Sequence, residues 1–434
     1  MKPSRWLSGA GVLSVGLLAA ACSPGGSAGT ESPSAQCTAT VPAGKVTLKM
    51  VSTPESGAAV KAIIAAFQVK YPNITINYQD TNYDDYNKSL NLSLASDQAP
   101  DIALLNSVGT TVKDKLVASL AGCEKAYSWD KVYPSTQLAQ WRLGANGSTL
   151  GSGDLYAAPA GFSIVGVYYN KDKAAKLGVT PPKTLDEFEA AMDKAKTAGE
   201  LPLQLGNSEG HASFAVQLLG QSADGADKAA NWTFGQPGAT FDTAGNRSAA
   251  GQVADWAKKG YLPAGANGVD LQGAVDKFTK GEGLFFIDGN WDAAKIGDRL
   301  GANAGFFAFP GAKATAIGTS VAYAISAKSP NQSAAAAFLD FLHSPQASAE
   351  EFKAGFMPAD PSAATPAPGT VMADIVAAWS RVNADNGLVG FNNNATATMN
   401  DTLTAGTQEL VGGRTDAAGF VAAVQKDWSK THGS

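Results

Sequence analysis

The sequence predicts an α/β fold in two lobes or domains. Its 434 residues are more than one compact core usually contains. Between Val46 and Leu105, three segments of strand character alternate with two helical segments. This order is typical of a parallel sheet covered by helices. A second series of strand and helix patterns follows beyond Ala190.

The N-terminus predicts an export signal over residues 1–21. Lys2 and Arg5 precede an apolar run from Trp6 to Ala21, which is shorter than the roughly 20 residues that a membrane-spanning helix needs. A positive start, an apolar centre and a small-residue exit are typical of a signal peptide. Cys22 follows directly in a stretch that resembles a lipobox, so we expect Cys22 to be lipidated. Ordinary signal cleavage and an inert buried cysteine are the alternatives.

Residues 22–44 predict a flexible tether, because the stretch is rich in Ser, Gly, Pro and Thr and has no apolar periodicity. Two further cysteines remain, Cys37 and Cys123. Thiols outside the cytoplasm tend to pair, so we expect a Cys37–Cys123 disulfide. Two unrelated thiols are the alternative.

The first lobe is predicted from periodicity. Val60, Ile63, Ile64 and Phe67 recur at helical spacing until Pro72 ends the helix. The flanking patterns are strands from Val46 to Val51, Ile74 to Tyr78 and Asp101 to Leu105, a helix from Tyr83 to Ser96, and a mainly helical stretch from Lys113 to Gly144.

The stretch from Asp154 to Ala190 is predicted to form two short β segments, a short helix and the start of a longer helix. Pro159 and Gly161 are expected to interrupt the first β segment. Thr184 and Glu187 have the spacing of a capping box, which predicts the start of the longer helix.

The remaining chain alternates strands with helices and ends in three helices. The strands are expected from Leu201 to Leu205, Leu284 to Ile287, Gly305 to Pro310 and Val321 to Ser326, and the helices from His211 to Leu219, Ala249 to Lys259, Leu271 to Lys280 and Gln332 to Leu342.

Three motifs in the central stretch carry a resemblance to a known family. They are Tyr156-x-x-Pro159, Tyr169-Asn170-Lys171 and Pro181-Pro-Lys-Thr-x-x-Glu-Phe188. The run from Phe278 to Trp291, a helix end, a glycine turn, a strand and Gly-Asn-Trp, is similar to a second signature of that family. Over about residues 45–430 the chain resembles family 1, the maltose-binding-protein-like branch, of extracellular solute-binding proteins of ABC importers.

The resemblance implies a periplasmic-binding-protein-like fold: two lobes, each a mostly parallel sheet covered by helices, with a hinge between them. Lobe 1 would hold residues 45–158 and 312–356, and lobe 2 residues 159–311 and 357–434.

Several functions are excluded by what the sequence lacks. A net charge of −5 gives no basic excess for nucleic acid. The sequence has no His-x-x-x-His pair, no Cys-x-x-Cys, no acidic calcium loop and no P-loop or Rossmann fingerprint, so neither metal nor cofactor is expected.

One motif favours an enzyme. Gly206 to Gly210 matches Gly-x-Ser-x-Gly, which would make Ser208 a nucleophile with His343 or His432 as its base. No upstream His-Gly-Gly-type oxyanion loop accompanies the motif. We therefore expect no enzyme and keep a secreted serine hydrolase as the alternative from a different class.

A carbohydrate site would use other residues. Aromatic rings stack on the apolar faces of a sugar, and amides and carboxylates bind its hydroxyls. In open α/β sheets such residues are expected after the carboxyl ends of strands. Trp291 follows a predicted strand in this way, and the resemblance also implies that it stacks on the sugar. The full set of candidates is Trp291, Asn290, Glu209, Asn207, Glu55, Asn106, Phe162, Tyr83, Asn82, Trp232, Ser320 and Trp379.

Alternatives stay open for these candidates. Trp291, Tyr83, Trp232 and Trp379 could be core residues, and the amides and carboxylates could be helix caps or solvated loop residues.

The predicted function follows from the resemblance and these residues. We expect a lipid-anchored, monomeric binding component of an ABC importer on the outer face of the cell membrane, which closes on a neutral oligosaccharide and passes it to permease subunits. A peptide or another small solute is the alternative ligand.

Overall fold

The computed structural model describes residues 33–38, 41–132, 138–144, 150–358 and 363–433. The predicted signal peptide, Cys22 and most of the tether lie outside these residues. Within them, no helix is both long enough and apolar enough to cross a bilayer.

The first sheet has five strands in the order β2-β1-β3-β12-β6. β1 is parallel to β2 and β3, whereas β12 is antiparallel to β3 and β6. The strands are β1 (Val46–Ser52), β2 (Ile74–Asp80), β3 (Ile102–Leu105), β6 (Ala158–Phe162) and β12 (Ser320–Ile325).

The second sheet has six strands, five of them in the order β13-β11-β7-β9-β8, with β10 also pairing with β7. β7 is antiparallel to β9, β10 and β11, while β8 is parallel to β9. The strands are β7 (Val165–Asn170), β8 (Leu203–Gln204), β9 (Phe285–Gly289), β10 (Ala304–Phe307), β11 (Ala316–Ile317) and β13 (Leu388–Val389). A short hairpin pairs β4 (Arg142–Leu143) with β5 (Asp154–Leu155).

The two-lobe α/β prediction is confirmed, and both sheets are mixed in strand direction. The strands next to each passage between the sheets, β6, β7 and β12, make antiparallel pairs. This differs from the mostly parallel sheets that the resemblance implied.

Helices cover both sheets. They are α1 (Gly57–Lys70), α2 (Tyr83–Ala95), α3 (Gly109–Lys113), α4 (Ala121–Tyr127), α5 (Lys171–Lys176), α6 (Leu185–Thr197), α7 (Ala212–Asp224), α8 (Ala226–Thr233), α9 (Ala244–Lys259), α10 (Leu271–Thr279), α11 (Ala293–Leu300), α12 (Gln332–Phe341), α13 (Pro345–Lys353), α14 (Val371–Ala384), α15 (Met399–Val411) and α16 (Ala417–His432). In the described part of the predicted helical stretch from Lys113 to Gly144, the helical residues are the last residue of α3, the short α4, a turn around Trp129, and Leu138 with Ala139; β4 then follows.

Helix capping explains why α6 begins where the sequence predicts. The Thr184 hydroxyl accepts the Glu187 N–H at 3.2 Å. The Glu187 carboxylate in turn accepts the N–H of Lys183 at 2.7 Å, one residue before the cap. Phe188, Met192 and Ala195 are then buried on one face of the helix, where they join the core of the second lobe.

The chain passes between the sheets at two adjacent points. It leaves the first sheet at Ser163 and Ile164, after β6, and returns at Gly318 and Thr319, before β12. The Ser163 N–H and hydroxyl both donate to the Thr319 carbonyl at 2.7 Å. The two passages are therefore held together as one hinge.

Both passages lie later in the chain than the boundaries set at residues 158 and 311. Pro159 does not interrupt β6, because β6 is an edge strand and an edge position tolerates a missing N–H. Gly161 lies where Phe356 approaches so closely that an added Cβ would be 2.5 Å from the phenylalanine Cβ.

The end of the predicted tether is attached to the first lobe. Cys37 is joined to Cys123 by a disulfide, with 4.9 Å between the Cα atoms. Ala35 donates its N–H to the Ser119 carbonyl at 2.8 Å, and Gln36 donates its N–H to the Gln332 side chain at 2.9 Å. Residues 33–38 are therefore packed on the lobe, and the expectation of a flexible tether is corrected there.

Candidate functional site: a cleft between the two sheets

A cleft of about 290 Å³ lies between the two sheets, beside the hinge. The loops that follow β1, β3 and β9 contribute Glu55, Asn106 and Trp291. These are strand ends, where ligands bind in open α/β sheets. Both hinge passages also reach the cleft, through Ser163 and Thr319.

The wall from the second lobe is aromatic. Trp291, Phe214 and Phe391 form a cluster in which the ring centroids are 5.7 to 6.2 Å apart. His211 lies against Phe214 with 5.1 Å between the ring centroids. Flat rings held in this way offer faces on which an apolar ligand surface can stack.

The wall from the first lobe is polar. Asn106 donates its side-chain N–H to the Asn87 side chain at 2.8 Å, which fixes the orientation of the amide. Asn82 caps α2 by accepting the Asp85 N–H at 2.9 Å. Beside the hinge, the Trp141 indole donates to the Ser320 hydroxyl at 2.6 Å.

Amide side chains extend the polar surface from the C-terminal region. Asn392, Asn393 and Asn394 form a single helical turn directly after Phe391 and line the cleft with Asn400. The Asn393 side-chain oxygen is buried and makes no hydrogen bond within the described part of the chain.

Of the described residues, three that line the cleft carry carboxylates: Glu55, Glu209 and Asp270. Two of them bind the start of α10. Glu209 accepts the Leu271 N–H at 3.1 Å, and Asp270 accepts the Gly273 N–H at 2.7 Å. The Glu55 Oε2 atom is buried and has no hydrogen-bond partner among the described residues.

His211 carries no charge at neutral pH. Burial lowers its pKa to about 4, against a smaller opposing effect of the Asp270 charge. Its Nδ1 atom lies 3.8 Å from a Glu209 oxygen, too far for a hydrogen bond. The histidine is therefore a neutral polar group in the cleft.

A buried acid pair lies behind the aromatic wall. Burial, and then the charge of Asp292, raise the pKa of Asp288 well above its ordinary value. Burial also raises the pKa of Asp292, whose carboxylate accepts from the Gln272 amide at 3.1 Å. Asp288 therefore keeps its proton more readily than a solvated carboxyl, beside the strand end that carries Trp291.

Seven of the twelve predicted residues line the cleft. They are Trp291, Glu209, Glu55, Asn106, Tyr83, Asn82 and Ser320.

Asn290 and Phe162 lie at the hinge and not on the cleft surface. The Asn290 amide donates to the Phe162 carbonyl at 3.1 Å and to the Gly355 carbonyl at 2.7 Å, and its oxygen accepts the Ile164 N–H at 2.8 Å. Phe162 is buried and packs against Trp379 with 6.1 Å between the ring centroids. Asn290 is a hinge residue, because its whole amide is used by backbone groups.

Asn207, Trp232 and Trp379 also lie away from the cleft surface. The Asn207 oxygen accepts the Ala212 N–H at 2.8 Å at the start of α7. Trp232 is buried in the second lobe and stacks on Trp428 with 6.3 Å between the centroids. Trp379 packs against the first core cluster, as the alternative reading of an amphipathic helix allowed.

Distant turns contribute further cleft residues that were not predicted from the sequence. The main ones are Phe214, Phe391, Asn392, Asn393, Asn394, His211, Asp270 and Gln272. One signal could have found some of them: an aromatic residue followed by three consecutive asparagines, at Phe391 to Asn394, between two helical patterns.

Ser208 and the two histidines considered as its base each make a contact within the protein. The Ser208 carbonyl accepts from Gln408 at 2.8 Å. His343 packs against Trp129 of the first lobe, and His432 against Trp428 of the second. Among the described residues, no group of three or more His, Cys, Asp or Glu side chains is arranged to hold a metal ion.

Two α/β lobes that share a hinge and line one cleft from both sides define a class of binding protein that opens and closes on a ligand. The chain belongs to the family of bacterial extracellular solute-binding proteins, whose model matches residues 51–349. The resemblance noted in the sequence is thereby confirmed. It is a family of binding proteins, not of enzymes.

Three similar proteins illustrate the relationship. The chain is 36% identical over 104 residues to a probable sugar-binding periplasmic protein of Mesorhizobium japonicum, a match covering 23% of each chain. It is 29% identical over 199 residues to a multiple sugar-binding protein of Streptococcus mutans, covering 43% of this chain and 47% of that one. These matches thus span about a quarter and about half of the curated relatives.

A solved structure shares the fold over nearly the whole chain. A chitin oligosaccharide binding protein superposes with a TM-score of 0.75 at 20% identity, covering 89% of this chain and 99% of that one.

Proposed function

We propose that the protein captures a carbohydrate in the cleft between its lobes and delivers it to the permease of an ABC importer. The carbohydrate that we propose is an oligosaccharide. The observation that carries the proposal is the pairing of an aromatic wall with a polar wall. Trp291, Phe214 and Phe391 form the first wall, and Asn82 and Asn106 belong to the second.

A saccharide fits both walls. Its C–H faces stack on aromatic rings, and its hydroxyl rim meets amides, which donate and accept hydrogen bonds, and carboxylates, which accept them. The two relatives described above, a probable sugar-binding protein and a multiple sugar-binding protein, support the same ligand class.

Closure supplies the mechanism. A ligand stabilises the closed form only through contacts that the open form cannot make. Because the polar wall belongs to the first lobe and the aromatic wall to the second, a sugar that touches both favours closure. The two passages are hydrogen-bonded to each other at Ser163 and Thr319. Closure of the lobes is therefore a hinge motion that changes only a few backbone angles in these passages.

Export and anchoring belong to the same proposal. Residues 1–21 act as the signal peptide and Cys22 carries the lipid, so that the folded part stays at the outer face of the membrane near its permease. Residues 33–38 are hydrogen-bonded to the first lobe, which attaches this part of the chain to the folded body.

Calorimetric titration of the purified protein with neutral oligosaccharides and with peptides tests the ligand class. We expect saturable binding of at least one oligosaccharide and no peptide binding. Binding of peptides alone would favour the alternative ligand class, and turnover of the bound saccharide would contradict the proposal.

Trp291→Ala tests the aromatic wall. We expect at least a tenfold loss of saccharide affinity, which corresponds to about 1.4 kcal/mol of lost contact, as the stacking face is removed. Trp379→Ala is the matched control, because Trp379 lies outside the cleft and its removal should leave affinity within about twofold. Unchanged affinity in Trp291→Ala would remove Trp291 from the site.

A further inference from the structure

We propose that the cleft discriminates saccharides by charge: it favours those that bear a basic nitrogen and disfavours acidic ones, and Glu55 is the residue that faces the basic group. The inference rests on the proposed saccharide-binding function and makes its ligand class more specific.

Among the described residues, the charged side chains that line the cleft are all acidic. They are Glu55, Glu209 and Asp270, and no described lining residue is Lys or Arg. The other internal stretches, residues 39–40, 133–137, 145–149 and 359–362, contain neither Lys nor Arg in the sequence. His211 does not compensate, since burial keeps it neutral at physiological pH.

Of these three carboxylates, Glu55 has an oxygen left for a ligand. Glu209 and Asp270 accept backbone N–H groups at the start of α10. The helix N-terminus offsets part of their negative charge. The Glu55 Oε2 atom is buried and has no hydrogen-bond partner within the described chain. A buried carboxylate oxygen in this state gains most from a charged donor.

The opposite wall favours a cation as well. The faces of Trp291, Phe214 and Phe391 carry the negative part of the aromatic quadrupole, which attracts ammonium groups. Lys295, behind that wall, is already engaged: its ammonium lies 2.9 Å from Asp276 and donates to the Gln272 side chain at 3.0 Å.

Charge also links the ligand to closure. The turn that holds Glu55 and the turn that holds Asp292 pack against each other across the lobe junction. Burial raises the pKa of Asp292, and the charges of Lys295 and Glu55 act on it in opposite directions. A cation between the two turns would be attracted by Glu55 as the lobes close, whereas an anion would be repelled.

Titration of the whole folded protein with saccharide trios tests the inference. Each trio contains a neutral sugar, its amino-deoxy form and its uronic acid, in the glucose and galactose series, as monosaccharides and β-1,4-linked dimers. N-acetylglucosamine oligomers and their deacetylated forms are added. The titrations are done at mildly acidic pH, where the amines are protonated, and at low ionic strength.

We expect the amino form of at least one series to bind at least tenfold more tightly than its neutral parent, and the uronic acid more weakly than both. In Glu55→Gln, the ratio of amino to neutral affinity should fall to about one. Asp255→Asn removes the same charge from the exposed face of α9 and should leave that ratio unchanged.

The outcomes separate the inference from the proposed function. Binding of neutral saccharides with no preference for any amino form would overturn the inference alone, as would an amino preference that survives in Glu55→Gln. If no saccharide of the whole panel binds, the proposed function and the inference both fail.

Discussion

At the residue scale, the position of one aromatic ring depends on a glycine. The Trp291 ring lies directly over Gly289, and a Cβ added to Gly289 would collide with three ring carbons. The backbone of Gly289 is extended, with φ at −90°, so its glycine is required by close approach and not by conformation. The Gly-Asn-Trp segment that follows β9 thus places the Trp291 ring on the surface of the cleft.

Gly289→Ala should lower saccharide affinity by at least fivefold, because the new methyl group displaces the Trp291 ring from the cleft wall. Calorimetric titration measures the loss of affinity. The tryptophan fluorescence spectrum of the protein should also shift, because the surroundings of Trp291 change. Gly251→Ala is the control. An added Cβ there meets no atom within 4 Å, so we expect unchanged affinity and about 1 kcal/mol of added helix stability. Wild-type affinity in Gly289→Ala would show that the ring can relax without cost.

At the element scale, β9 contributes to the site and to the hinge through adjacent residues. Trp291 faces the cleft, while Asn290 is completely buried and binds backbone groups of Phe162 and Ile164 at the first hinge passage and of Gly355 after α13. The sequence motif joins the two functions in consecutive positions. The sequence alone assigned both residues to the ligand, since side-chain direction at a turn depends on what packs there.

Asn290→Ala should destabilise the protein by about 3 kcal/mol, because three buried backbone groups lose their hydrogen-bond partner. Urea unfolding measures the change. Asn303→Ala, at an exposed position in a single helical turn, should cost less than about 0.5 kcal/mol. A loss in Asn290→Ala as small as that of the control would contradict the structural role of the amide.

At the scale of the whole molecule, a buried acid makes stability depend on pH. Glu351 lies on α13 behind β6, is 2% exposed and has no hydrogen-bond partner for its carboxyl oxygens among the described residues. Burial raises its pKa well above the ordinary value of 4.5, against the smaller effect of the Gly161 backbone. The native state therefore keeps a proton that the unfolded chain releases.

The free energy of unfolding should fall as pH rises from about 4.5 toward the raised pKa, because the unfolded state binds fewer protons in that window. In Glu351→Gln this contribution disappears, so the decrease with pH should be shallower than in the wild type. Urea unfolding across the pH range measures both slopes. Glu350→Gln, which removes a surface partner of Lys353, should keep the wild-type slope. Parallel curves for Glu351→Gln and the wild type would contradict a protonated native Glu351.

The sequence by itself determined the elements and the family. Hydrophobic periodicity, the Thr184 cap and the strand–helix alternation act over a few residues, so the strands β1 to β3 and the helix α6 were predicted close to their observed bounds. The motifs around Tyr156, Tyr169 and Pro181 were enough for the solute-binding family. Trp291 and the strand-end residues Glu55 and Asn106 were predicted because strand ends face ligands in such sheets.

Only the tertiary structure decided which side chains meet in the cleft. Phe214 and Phe391 are far apart in the chain and become neighbours through the packing of the second lobe. Asn290 and Trp232 carry the residue types of a sugar site, yet backbone groups and core packing use them instead. The division of roles depends on contacts between distant segments, and local sequence pattern holds no information about the direction of a side chain relative to a partner elsewhere in the chain.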